Sequence, residues 1–162
     1  MAVPDARATL DGEMTSRPKR TVIAAHDGTP RGVDVVASAR RIAHRADARL
    51  VIVHVIERQT PYWSRDPDHQ HLLRHRLAQV FGSTRAVAGP DAETRAVGAR
   101  SVGEGLLAAI EDEHAGVVVV GSSHRGPLGH AFYGDVARQL SKQCDCHVHV
   151  VPAGAHEVVP AA

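Results

Sequence analysis

The chain has 162 residues, enough for one full-sized domain with a real core and too few for two comfortable ones. Hydrophobic residues make up 43% of it and aromatics only 3%, so it is not a disordered chain, and its core has to be built from Val, Ala, Leu and Ile. A formal net charge of +1, with no basic run interleaved with aromatics, gives no reason to expect nucleic acid as a partner.

Residues 1–19 carry Pro4, Pro18 and scattered charges around no apolar segment, and read as a disordered N-terminal tail. No stretch approaches the length of a membrane span, so the expectation is a soluble, cytoplasmic protein without a membrane partner. The domain is expected over residues 20–153, with 154–162 as a C-terminal tail. Thr21 to His26 is a short apolar run closed by Asp27-Gly28-Thr29-Pro30, the pattern of a buried strand and its turn. From Arg31 to Ala46 the apolar residues Val35, Val36, Ala39, Ile42, Ala43 and Ala46 recur at three and four, which gives one helix face. Leu50 to Ile56 is a second buried strand, and strand–helix–strand in this rhythm means a parallel pair with a right-handed crossover. Residues 57–67 form a loop holding the only Trp. The spacing then predicts a polar helix from Asp68 to Ala88 with Leu72, Leu73, Leu77 and Val80 inward. Thr94 to Gly98 is a weaker, more polar strand suited to a sheet edge. Val102 to Glu113 is a helix with Leu106, Leu107 and Ile110 inward. Gly116 to Val120 is the clearest strand in the chain and runs into a glycine-rich turn, Gly121-Ser-Ser-His-Arg-Gly126. A last helix over Ala131 to Gln143 and a strand through Val148, Val150 and Val151 complete the alternation.

Alternating strands and helices predict an α/β fold: a single doubly wound domain, a five-stranded parallel sheet with helices on both faces. Ligands of such sheets sit beyond the carboxyl ends of the strands, where the strand order reverses. The turns at Asp27–Pro30 and Gly121–Gly126 both follow carboxyl ends, so any site should lie there.

At these turns the residues resemble a known family. His26-Asp-Gly-Thr-Pro30 resembles the Val-Asp-Gly-Ser-Pro turn of universal stress proteins, and Val53-His-Val-Ile56 resembles the end of their second strand. Val118 to Gly129, running on to Gly134-Asp-Val136, resembles their long glycine signature, and Cys146 to Pro152 stands where they carry Cys-Pro-Val-Leu-Val-Val. The resemblance covers residues 20–152. It implies strand order 3-2-1-4-5 and a homodimer paired through the fifth strand, here about His147–Val151. It also implies an adenine nucleotide site, for ATP, ADP or AMP with or without magnesium. The residues it places at that site are Asp27, Gly28, Thr29 and Val55 at the adenosine end, and Gly121, Ser122, His124, Arg125, Gly126, Gly134, Asp135 and Val136 at the phosphate end. Glycines there let main-chain N–H groups approach phosphate oxygens, and a helix N-terminus adds a positive dipole.

Two positions depart from the family pattern. His124 stands where a second glycine is expected, and Asp135 stands where a Ser or Thr hydroxyl is expected. A carboxylate about 4 Å from a triphosphate in partly wet surroundings repels it by a few kcal/mol. Asp135 could instead hold a magnesium ion or serve the helix N-terminus. The resulting expectation is a regulatory binding module that takes an adenine nucleotide weakly or in modified form, and acts through dimerisation or a protein partner. The alternative is a nucleotide-free interaction protein of the same fold. No catalytic residues are expected: there is no nucleophile elbow, and no Lys follows the glycine loop. Cys144, Cys146, His147 and His149 lie close in sequence, but alternate strand residues face opposite ways, so no metal site is expected from one chain. A disulfide between cysteines two apart would close a short, strained loop. His71 and His75 have helical i, i+4 spacing but no intervening Glu, and read as a solvated face.

Overall fold

The computed structural model describes residues 20–58, 66–122 and 134–152. The expected N- and C-terminal tails (1–19 and 154–162), most of the Trp-bearing loop, and the glycine-rich turn from residue 123 onward lie outside the described residues. The elements run β1 (Thr21–Ala25), α1 (Pro30–Arg45), β2 (Arg49–Glu57), α2 (Pro67–Ala88), β3 (Glu93–Ala99), α3 (Val102–Asp112), β4 (Ala115–Gly121), α4 (Asp135–Gln143) and β5 (His147–Val151). The sheet has the order β3-β2-β1-β4-β5 and every pair is parallel, as the sequence and the resemblance predict.

Side-chain alternation along the central strands builds two cores, one on each face. Val22 and Ala24 of β1 join Ile52 and Val119 under Val35, Val36 and Ala39 of α1. Ile23 joins Val51, Val53, Val118 and Val120 under Leu106 of α3 and Leu140 of α4. Ile23, Ile52, Leu106 and Leu140 are all essentially inaccessible to solvent, and each contributes roughly 1.5–3 kcal/mol by leaving water. The strands read as continuous apolar runs because both faces are covered.

Local chemistry sets the helix ends. Pro30 occupies the first turn of α1, where its fixed φ suits the helix and its missing N–H costs nothing. Ser101 caps α3 by accepting from the Glu104 N–H, while the Glu104 carboxylate accepts from the Arg100 N–H. Asp66 caps α2 in the same way through the Asp68 N–H. At the β3 edge, Glu113 accepts from both Arg49 and Arg95, Glu93 pairs with Arg49, and Asp112 pairs with Arg95. These half-exposed pairs are each worth about 0–1 kcal/mol.

Three expectations need correction. Leu72 is 53% exposed; the inward stripe of α2 passes instead through Leu73, Leu77, Val80, Thr84 and Ala88, and Leu72 sits a further ~100° round the helix. α4 begins at Asp135: its N-cap, Gly134, has a non-helical backbone (φ −56°, ψ 155°), and residues 131–133 of the expected helix lie outside the described residues. Cys144 and Cys146 are joined as a disulfide. Cys144 leaves α4 in an extended conformation and the chain bends at Asp145, so the two Cα atoms lie 5.3 Å apart, within ordinary disulfide reach.

Candidate functional site

The order reverses at β1, which leads through α1 to β2 on one side and has β4 on the other. Beyond the carboxyl ends of β1, β2 and β4 lies a cavity of about 460 Å³, within the usual range for small-molecule sites. Ala25, Val53 and Val120 form its floor, Arg31 and Val35 of α1 one wall, and Val102, Leu106 and Val136 the other. Val102 is 36% exposed at the head of α3, an unusually open position for a large apolar side chain in this fold. The lining is largely apolar, with the Asp27 carboxylate and the Arg31 guanidinium as its charged members.

The turn after β1 is built by its own side chains. Asp27 Oδ1 accepts from the Thr29 N–H at 2.9 Å and from the Thr29 hydroxyl at 2.7 Å, an Asx turn closed twice. Gly28 has φ +84°, a conformation that side chains disfavour. Its N–H donates to Nδ1 of His26 at 2.8 Å. His26 continues the sheet by donating its own N–H to the Val53 carbonyl, and its carbonyl accepts from Nδ1 of His54 at 2.7 Å. The His26 ring lies on Gly32 of α1: a Cβ at Gly32 would stand 2.8 Å from Cε1 and Nδ1 and 2.9 Å from Cγ. With Nδ1 accepting, the neutral ring carries its proton on Nε2, which is buried and has no partner among the described residues. Burial pushes the His26 imidazole down from its ordinary value; Asp27 opposes that shift and His54 adds to it.

Of the residues expected from sequence, Asp27, Val55, Gly121, Ser122 and Val136 meet at the cavity. Ser122 anchors the end of β4 by donating its N–H to the Val151 carbonyl. Gly28 and Thr29 lie on the adjoining turn, against Val80 and Arg76 of α2. Gly134 is buried at the α4 N-cap, and Asp135 is exposed in the first turn, outside the cavity lining. His124, Arg125 and Gly126 lie outside the described residues. The sequence reading missed His26, His54, Arg31, Val102 and Leu106 as site residues. Among the described residues no three His, Cys, Asp or Glu side chains cluster as a metal site would need, and no helix is long and apolar enough to cross a membrane.

Residues 19–152 match the universal stress protein family. The chain belongs to that family. A curated universal stress protein of Thermus aquaticus, encoded in the 3' region of a QAH/OAS sulfhydrylase, is 27% identical over 135 residues, covering 82% of this chain and 98% of the relative. A universal stress protein solved in complex with cAMP superposes with a TM-score of 0.60 at 20% identity, covering 84% of this chain and 98% of that one. The Archaeoglobus fulgidus universal stress protein solved with dAMP gives 0.57 at 16% identity, covering 82% and 96%. At these identities the two structures speak to the universal stress protein fold, which this chain shares.

Proposed function

We propose that this universal stress protein is a cytoplasmic regulatory module without an enzymatic reaction of its own, which binds an adenine nucleoside or nucleotide in the cavity between β1 and β4. One observation carries the proposal: an apolar slot at the topological switch point, with one carboxylate among the described residues, Asp27, in its lining. Asp27 Oδ1 is occupied by Thr29, leaving Oδ2 for a ligand hydroxyl. Val102 and Leu106 offer apolar surface to a flat base, and Val55 of β2 lines the same slot. The family members solved with cAMP and dAMP support the choice of an adenine ligand.

A second reading, of a nucleotide-free interaction protein, draws on Asp135. Its exposed carboxylate already occupies the first turn of α4, where the helix dipole would otherwise favour a phosphate. Calorimetry with adenosine, AMP, cAMP and ATP, with and without magnesium, separates the two. The binding reading expects heat for at least the nucleoside or monophosphates, and about a tenfold or greater loss in Asp27→Ala, the scale of one lost charge-assisted hydrogen bond. It further expects His124→Gly with Asp135→Ser to strengthen ATP binding. No heat with any of the four ligands would sink it in favour of the second reading. The homodimer belongs to the same proposal: β5 has β4 on one side and no strand on the other among the described residues, an open edge that a second copy could extend. Light scattering that gives a monomer mass at micromolar concentration rules it out.

A further inference from the structure

The buried histidine that precedes Asp27 makes two close contacts, one with the binding turn and one with α1. It accepts the Gly28 N–H through Nδ1 at 2.8 Å, and its ring is wedged flat over Gly32, with room only because position 32 lacks a Cβ. The residue is 3% exposed and borders the cavity. We propose that His26 is a positioning residue whose neutral form holds the Asp27–Thr29 turn in its binding shape, so that ligand binding at this cavity is coupled to release of a proton from His26. The inference rests on the adenine-binding reading given above.

The coupling follows from the two ring nitrogens. A neutral His26 can accept at Nδ1 because its proton sits on Nε2. Protonation places a second N–H at Nδ1, facing the Gly28 N–H, and a donor cannot pair with a donor. Among the described residues the ring has no other acceptor to turn towards: Nε2 already lacks a partner there, and Gly32 blocks movement towards α1. The Gly28 amide therefore has to swing away, and Asp27 and Thr29 go with it, since Gly28 joins them. The groups facing the ring do little to stop this. Asp27 favours the charged ring, whereas His54 on β2 disfavours it. Arg31 on α1 borders the same cavity, and Arg76 on α2 reaches Gly28. On the far side α3 and α4 offer only Val102, Leu106 and Val136. Burial works against the charged ring as well.

Adenosine is the probe, since neither its base nor its ribose titrates between about pH 5 and 8, and calorimetry gives its affinity across that range. The expected result is a dissociation constant that rises towards about tenfold per pH unit below the point where free His26 protonates. In His26→Asn, whose Oδ1 can accept the Gly28 N–H but cannot titrate, the ratio of affinities across the range should fall to within about twofold. A flat profile in the native protein, or an unchanged slope in His26→Asn, overturns the proposal. In parallel, the Gly28 amide and the His26 ring nitrogens are followed by NMR in the ligand-free protein. They should titrate together with one midpoint, and a Gly28 amide that ignores the His26 titration overturns the proposal by itself. This second measurement needs neither the ligand nor the variant. If adenosine fails to bind at every pH while Gly28 still follows His26, it is the adenine reading that fails and the proton-controlled turn that stands.

Discussion

At the scale of single residues, His26 and Gly32 fit too closely to admit any side chain at position 32. An alanine at 32 would normally help a helix by about 0.5–1 kcal/mol, but here its Cβ would stand 2.8 Å from the imidazole. Gly32→Ala should therefore lower the unfolding free energy by about 1–3 kcal/mol, the cost of overpacking a site that cannot yield, as read from urea denaturation. Sequence patterns drew attention to Asp27, whose place in the turn is legible, and passed over its neighbour. A histidine at the end of an apolar run looks like any strand terminus; only its burial, its pairing with Gly28 and the bare backbone at Gly32 reveal its part. Asp135 was legible in a different sense, because a carboxylate where a hydroxyl is expected can be seen without coordinates.

At the scale of elements, α3 shows how two glycines in one helix can serve different ends. A Cβ at Gly103 would meet the amide end of the Gln139 side chain, which can swing aside. A Cβ at Gly105 would stand 2.6 and 2.8 Å from the two γ-methyls of Val55, which are fixed in the sheet. Gly103→Ala should thus leave thermal stability unchanged or raise it by up to ~1 kcal/mol, whereas Gly105→Ala should cost about 1–3 kcal/mol. Because Gly105 presses on Val55, the second change should also displace the adenosine end of the cavity and weaken binding there; equal effects at both positions contradict this account. The strands were legible because parallel strands covered on both faces must be apolar throughout, and Val117 to Val120 could be little else. The outward turn of Leu72 was not, since α2 packs chiefly on α1 and adjacent leucines leave its inner stripe ambiguous. Nor was the Cys144–Cys146 bond, which depends on how the chain leaves α4.

At the scale of the whole molecule, the lowered proton affinity of His26 makes the fold sensitive to acid. The unfolded chain, with an ordinary histidine near 6.5, binds a proton that the folded chain resists. The contribution of the neutral ring is therefore complete above about pH 6.5 and is lost as the pH falls below it towards the lower folded value. Urea midpoints should decline from about pH 7 to pH 5, and more gently in His26→Asn; identical slopes would remove His26 as the cause. The two cores add a consequence of another kind. One is roofed by α1 and the other by α3 and α4, and the sheet keeps them apart except at the mouth of the cavity, where Val35 faces Leu106 and Val136 across open space. A molecule seated there becomes a clasp between two helical layers that otherwise share only a wall, so a change in its occupancy is felt on both faces of the protein at once.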